Sequence, residues 1–284
     1  MSWERAVAHV AERSTGGPLD PAMRVTIHFH PDRIFAGEPI LTAMARDGIY
    51  RSQFETGTGN GGLTAFPGGD RWRWESRIFG GAYDAAPPAQ RPKYGSLNHR
   101  RRPAGGSPRF GSAHLRMRRE TLERTTFCYP DSFLEPADFG VAARMSLIAL
   151  ADADEQDYLD DYIEAHVHGV IRFATDVEAV VLDPCYRDTA VEELAAELAC
   201  PIEWHHGFVL SVDELVRHPD YRGPEIITAG LDIAQDDRLD ARIVGAAVNA
   251  GKHDPQTLKR VWHHVARFGR PALNAQRLPG AADS

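Results

Sequence analysis

The chain of 284 residues contains only three cysteines, an odd number at wide spacing. Cys128, Cys185 and Cys200 therefore predict neither a disulfide framework nor a zinc site built from cysteines. No run of about 18 apolar residues is present, so no membrane span is expected. The first 15 residues lack a positive segment followed by an apolar one, which argues against a secretory signal and predicts a cytoplasmic protein.

Lysine is also scarce, since 29 of the 32 basic residues are arginines. Arginine binds phosphates through paired hydrogen bonds, but a genome that favours Arg, Ala, Gly and Pro together explains the same bias. The net charge of −8 excludes a protein that is basic overall, and no specific nucleic-acid binding is expected.

The charges are nevertheless clustered along the chain. Residues 91–124 carry ten Arg or Lys against two Glu, and residues 131–164 carry ten Asp or Glu against one Arg. Adjacent blocks of opposite sign either face each other in the fold or leave the basic block to line an anion site.

Hydrophobic periodicity predicts an α+β fold. Apolar and β-branched residues predict strands at residues 24–30, 49–54, 112–118, 162–173 and 177–182. Helical spacing predicts helices at residues 3–10, 39–45, 188–200, 240–250 and 255–268. The segments 56–69 and 84–109 are rich in Gly, Pro or Arg and predict loops. We expect an α+β catalytic domain over residues 1–185 and a mostly helical region over residues 186–284.

Two His-x-His tracts are the first candidates for chemistry. Residues i and i+2 of a strand share one face, so His28 with His30, and His166 with His168, each present two imidazoles together. Glu164 joins the second pair. Such a set suits a divalent metal held by imidazole and carboxylate ligands, as in a metal-dependent hydrolase, or it lies on a solvated or half-buried face without a metal.

The sequence contains neither of two common nucleotide-binding motifs. The glycine-rich stretch after Thr56 is neither a P-loop nor a Rossmann fingerprint, although its amides could approach an anion. The segment 91–98 is either a surface loop or a ligand site, in which the ring of Tyr94 stacks on a ligand and its basic neighbours meet phosphates.

Several strings together resemble an uncharacterised bacterial family, catalogued only as a domain of unknown function (number 3626). The resemblance covers most of the chain and carries no activity. It rests on residues 25–33 (VTIHFHPDR), 50–57 (YRSQFETG), 69–75 (GDRWRWE), 91–98 (RPKYGSLN), 109–112 (RFGS), 124–127 (RTTF), 131–132 (DS) and 162–169 (YIEAHVHG).

The order of these blocks also resembles ADP-ribosyltransferase domains of bacterial toxins and effectors. That resemblance implies a split β-sheet, NAD as co-substrate, and an acceptor that it does not identify. It places His28 or His30 on the first strand, Ser52 or Thr56 in the middle, Tyr94 against the nicotinamide and Glu164 on a late strand. The cofactor-binding set then comprises His28, His30, Arg51, Ser52, Thr56, Tyr94, Gly95 and Asn98.

The chain departs from that pattern after Glu164, because His166 stands where a second, catalytic glutamate is expected. Glu164 and His166 are therefore the candidate catalytic residues. Three readings stay open: an NAD-using transferase or hydrolase, a metal-dependent hydrolase, and a non-catalytic binding protein with a degenerate transferase fold. The sequence does not indicate an oligomeric state.

Overall fold

The structure is a computed structural model and describes residues 1–57 and 64–271. Its helices are α1 (Ser2–Glu12), α2 (Ile40–Asp47), α3 (Gln53–Thr56), α4 (Asp70–Ile78), α5 (Leu147–Ala153), α6 (Phe173–Asp176), α7 (Ala190–Ala196), α8 (Val212–Leu215), α9 (Glu225–Ile233), α10 (Ala241–Asn249) and α11 (Pro255–Phe268). Short 3-10 turns lie at Pro88–Gln90, Pro108–Phe110, Arg119–Arg124, Ser132–Leu134 and Pro184–Tyr186. None of these helices has both the length and the apolar character that crossing a membrane requires.

The strands are β1 (Val25–Phe29), β2 (Ile34–Phe35), β3 (Glu38–Pro39), β4 (Ile49–Tyr50), β5 (Lys93–Leu97), β6 (Ala113–Met117), β7 (Thr125–Tyr129), β8 (Asp138–Val141), β9 (Ile163–Val167), β10 (Ile171–Arg172), β11 (Val177–Leu182), β12 (Ile202–Trp204), β13 (Leu210–Ser211) and β14 (Arg238–Leu239). Eight of them form one sheet in the order β12-β11-β6-β1-β5-β9-β7-β8. Within it, β11 and β12 are parallel, whereas the other neighbours are antiparallel. The predicted α+β class is confirmed.

The central strands separate apolar from polar side chains, because successive residues of a strand point to opposite faces. On one face, Ile27, Leu97, Ile163 and Phe127 are fully buried in the main core. Helix α2 packs over this face through Leu41, which is also fully buried. Burial of this apolar face supplies the main hydrophobic stabilisation of the sheet.

The opposite face of the same strands is polar and nevertheless buried. Tyr94 and Thr126 both pair with His166, so the three side chains share this face. Helices α1 and α4 form a smaller apolar cluster beside it, which includes Trp74 and Cys128. The polar face is therefore enclosed by protein and must satisfy its hydrogen bonds internally.

The sheet opens between β1 and β5. These strands pair only at Val25 with Leu97 and at Thr26 with Ser96, whereas β5 and β9 pair at five positions. The split that the resemblance implies is limited to this opening, since all eight strands remain in one hydrogen-bonded order.

Most predicted elements lie where periodicity placed them, including α1, β1, β6 and α11. The segment 93–97, predicted as loop, is strand β5, because its buried polar face lacks the apolar alternation that marks a strand. The strand predicted over 49–54 ends at Tyr50, because Ser52 caps α3 and accepts a hydrogen bond from the Glu55 amide. Within the glycine-rich stretch, residues 58–63 lie outside the described residues.

The division of the chain after residue 185 stays a prediction, but residues beyond it contribute to the sheet. Strand β12 pairs with β11, and Ala195 and Leu198 belong to the main core. Helices α9, α10 and α11 build a second core around the fully buried Trp262, whose indole donates a hydrogen bond to the Pro108 carbonyl at 2.9 Å. The C-terminal helices therefore pack directly against the sheet domain.

Gly111 allows the loop before β6 to lie against β1. A Cβ atom at this position would come within 2.2 Å of the Phe29 carbonyl group. We predict that Gly111→Ala lowers the free energy of unfolding by about 1–3 kcal/mol, because the added methyl group overpacks a backbone contact. Urea denaturation measures the change. The control is Gly17→Ala, which adds its methyl group where nothing lies within 4 Å; equal unfolding midpoints for both variants would contradict this account.

Candidate functional site

A cleft of about 950 Å³ opens where β1 and β5 diverge. The residues that line it include His28 from β1 and His30 just after this strand, Tyr94 and Gly95 from β5, and Glu164 from β9. Its volume is at the upper end of the range for small-molecule sites, roughly 300–1,000 Å³. Together with Arg51, Ser52 and Thr56, eight of the predicted site residues line this one cleft.

Gly95 allows β5 to approach β1 at the edge of this cleft. A Cβ atom on residue 95 would lie 2.5 Å from the Thr26 carbonyl oxygen. A larger residue would force the two strands apart at the point where the opening begins.

Glu164 is held on both sides of its carboxylate. Its Oε1 lies 3.0 Å from Nε2 of His166, and its Oε2 accepts hydrogen bonds from the hydroxyl of Ser132 at 3.1 Å and from the Ser132 amide at 3.3 Å. Burial alone would raise the pKa of Glu164, but the hydrogen bond from His166, the charge of Arg71 and the Ser132 amide hold the pKa below its usual value. Glu164 is therefore ionised at neutral pH although only 8% of its surface is exposed.

Behind Glu164, a chain of hydrogen bonds runs away from the cleft along the polar face. His166 Nδ1 lies 3.0 Å from the Thr126 hydroxyl, which lies 2.9 Å from Nε2 of His168. Nδ1 of His168 lies 2.6 Å from the hydroxyl of Tyr83. His166 and His168 are both fully buried. His166 thus supports Glu164 from behind and is not part of the cleft lining.

The ionised carboxylate of Glu164 sets one end of this chain. Because it only accepts, Nε2 of His166 carries the hydrogen of the bond between them. Burial and nearby positive charges lower the pKa of His168, and burial raises the pKa of Tyr83, so both are neutral at pH 7. The ring nitrogen of His168 that carries its single hydrogen decides whether Tyr83 and Thr126 donate to this ring or accept from it.

Tyr94 is fixed by a second set of buried contacts. Its hydroxyl donates to Glu75 at 2.7 Å, and Arg91 donates to the other oxygen of Glu75 at 2.6 Å. The guanidinium of Arg71 lies 3.9 Å from the centre of the Tyr94 ring. Tyr94 therefore presents its ring in one orientation.

Arg71 is the functional candidate that sequence reasoning missed. It lines the cleft and is 4% exposed, and among the described residues its buried Nε and Nη1 atoms have no hydrogen-bond partner. Helix α4 buries Arg71 together with Trp74, Glu75 and Ile78. Two charged residues at the apolar spacing of one helix face were the available signal. An arginine with unused donors beside Glu164 is suited to bind an anionic part of a ligand.

The remaining predicted cofactor residues have structural contacts. Arg51, Ser52 and Thr56 line the outer part of the cleft. Arg51 pairs with Asp47 at 2.8 Å, and the Ser52 hydroxyl donates to the Pro88 carbonyl. Asn98 is not among the lining residues, because its amide closes a turn onto Arg102.

The structure does not bring the four predicted metal-ligating histidines together. His28 is bonded through Nδ1 to the Gly111 carbonyl and through Nε2 to the Ser107 amide, while both nitrogens of His166 and of His168 are engaged in the chain behind Glu164. Among the described residues, the one group with metal-like spacing is Cys128, Glu164 and His166.

That group lacks the ionised thiol that a metal needs as a ligand. Burial, followed by the charge of Glu164, raises the pKa of Cys128 well above its usual value. Its sulfur lies 3.9 Å from Nε2 of His166, the atom that already bonds to Glu164. The donor set therefore fits a hydrogen-bonded carboxylate better than a metal centre.

Ion pairs show that the two charge blocks face each other. Arg100 and Arg102 both pair with Asp161, and Arg109 pairs with Asp160. Most of the basic block is thus neutralised within the fold.

Most of the chain matches one protein family. The model of a family described as "Protein of unknown function (DUF3626)" matches residues 24–156 and, in an overlapping second region, residues 142–268. No curated protein matches the chain. The predicted family is confirmed, and because the matches span well over half of the sequence, the chain belongs to the DUF3626 family of proteins of unknown function.

Proposed function

We propose that the protein cleaves the bond between nicotinamide and ribose in NAD and transfers the ADP-ribosyl group to water or to another acceptor. The observation that carries the proposal is an ionised, rigidly held Glu164 in a cleft that is large enough for a dinucleotide. Tyr94 and His28 in the same cleft, and the unused donors of Arg71, support it. The resemblance to ADP-ribosyltransferase domains favours the same reaction.

Glu164 has the chemistry that this reaction needs. As the C–N bond breaks, its electron pair leaves with nicotinamide and positive charge develops on the ribose, as in glycoside cleavage. The carboxylate stabilises that charge and can accept a hydrogen bond from a ribose hydroxyl, because Oε1, which accepts from His166, has a second lone pair. An acceptor oxygen then forms the new C–O bond and releases its proton.

His166 suits a positioning role in this proposal. It occupies the place where the resemblance predicts a second glutamate, and it donates a hydrogen bond to Glu164 from the side away from the cleft. Glu164 is then the sole carboxylate assigned to the ribose. Tyr94 supplies a fixed aromatic surface for the nicotinamide ring.

A second candidate is a protein that binds NAD without cleaving it. The observation in its favour is that both oxygens of Glu164 already accept hydrogen bonds from the protein. Turnover distinguishes the two, since binding alone releases no nicotinamide.

We predict that Glu164→Gln reduces nicotinamide release from NAD by roughly 100-fold or more, because the neutral amide no longer stabilises developing positive charge. Chromatography of nicotinamide measures the rate, and calorimetry checks that NAD still binds. Glu120→Gln is the matched control, because Glu120 is 69% exposed and lies outside the cleft lining. Wild-type protein that neither binds NAD nor releases nicotinamide contradicts the proposal, and binding without release supports the second candidate.

A pH profile tests the role of His166. The active form is the ionised Glu164, so activity is lost as pH falls through the pKa of this carboxyl, which lies below its ordinary value. We predict that His166→Phe moves the acid limb of kcat/KM to higher pH, because burial still raises the pKa while the hydrogen bond that lowers it is gone.

His166→Gln keeps a donor near the same place and is expected to restore much of the wild-type profile. An acid limb that stays unchanged in His166→Phe would show that His166 does not set the ionisation of Glu164.

A further inference from the structure

Basic residues converge at the end of the cleft that adjoins the C-terminal helices. We call this end, formed by Arg33, Arg109 and Lys259, the basic end of the cleft; all three residues line it. Lys259 belongs to α11, so the mostly helical C-terminal region contributes to the cleft wall. His30 lies beside this end and packs edge-on against Trp262 of α11.

At the basic end, the carboxylate of Asp160 forms ion pairs with two arginines. Asp160 pairs with Arg109, and its Oδ2 also lies 3.0 Å from Nη2 of Arg222. The single negative charge of Asp160 is therefore shared between Arg109 and Arg222. Burial, followed by the charges of Arg109 and Arg222, lowers the pKa of Lys259. Like charges crowded in this way destabilise one another until an anion joins them.

Two donors of the basic end are buried and have no hydrogen-bond partner among the described residues: Arg33 Nη1 and Arg109 Nε. Buried polar atoms in proteins are nearly always bonded, and each exception requires an explanation. A ligand rich in acceptor oxygens would satisfy such donors.

The basic end lies a short distance along the cleft from Glu164. The Arg109 guanidinium lies 5.9 Å from the centre of the Tyr162 ring, and Tyr162 precedes Glu164 by two residues. Residues two apart in extended chain share a face and are separated by roughly 7 Å. A group at the basic end would thus lie a short distance along the cleft from a sugar at Glu164.

We infer that the basic end binds a phosphate or diphosphate group of the ligand, through Lys259 of α11 together with Arg109 and Arg33. Phosphate fits better than a carboxylate, because it offers enough oxygens for several arginine and lysine donors at once. The inference deepens the proposed function and rests on it only for the source of the phosphate, which is either the diphosphate of NAD or a separate phosphorylated ligand.

Calorimetry on the full chain tests the inference with inorganic pyrophosphate, ADP and NAD as separate probes. We predict that all three bind and that Lys259→Met weakens each by roughly tenfold or more, because a charged hydrogen bond to phosphate is lost. Lys252→Met is the matched control, since this exposed lysine does not line the cleft. Arg109→Lys keeps the charge beside Asp160 but removes the planar donor pair, and is also expected to weaken binding if Lys259→Met fails to fold.

The outcomes separate this inference from the proposed function. In one outcome, pyrophosphate and ADP bind in a manner that depends on Lys259, but no nicotinamide is released from NAD. This outcome supports the phosphate site and contradicts the proposed reaction. Nicotinamide release that is insensitive to Lys259→Met and to Arg109→Lys, with no binding of pyrophosphate, overturns the phosphate site and leaves the reaction. Weakening by Lys252→Met as large as that by Lys259→Met also overturns the site, because it would reflect overall charge alone.

Discussion

The alternation of side chains along the central strands determines the rest of the structure. One face of β1, β5, β7 and β9 carries the main apolar core, so the opposite face of the same strands receives every alternate residue. Those residues are His, Tyr, Glu, Thr, Ser and Cys, and a slip of one position in register would bury them in the core. The hydrophobic effect on one face therefore fixes the positions of the polar groups on the other.

The polar face is stable because its groups satisfy one another. A chain of hydrogen bonds leads from Tyr83 through His168, Thr126 and His166 to Glu164. A buried polar chain of this kind holds its members rigidly when it is complete, and leaves costly unpaired groups when one is removed. The same chain keeps an ionised carboxylate at the surface of an otherwise enclosed face.

The fold class and many of the elements could be predicted because periodicity reports apolar burial directly. Strand β5 could not be predicted, since Lys93, Tyr94 and Ser96 are buried by neighbours that are distant in sequence and not by their own hydrophobicity.

The residues of the site could likewise be predicted only in part. Glu164, Tyr94 and His28 share the cleft, whereas Arg71 was missed because a buried arginine on a helix is explained only by what packs around it. The basic block was expected either to face the acidic block or to line an anion site. Arg100, Arg102 and Arg109 pair with the acidic block, whereas Lys259, far away in the sequence, lines the cleft.

The contact between α11 and the loop before β6 has a consequence for how the chain acquires its ligand. Trp262 and Pro108 are 154 residues apart in sequence and hydrogen-bonded in the fold, and they carry Lys259 and Arg109 to the two sides of the same end of the cleft. A ribosome that has completed the sheet but not α11 has made a cleft that contains Glu164 and lacks this wall. The finished site thus forms together with the last stage of tertiary assembly, and a ligand that binds it stabilises the fully folded chain over every partly folded form.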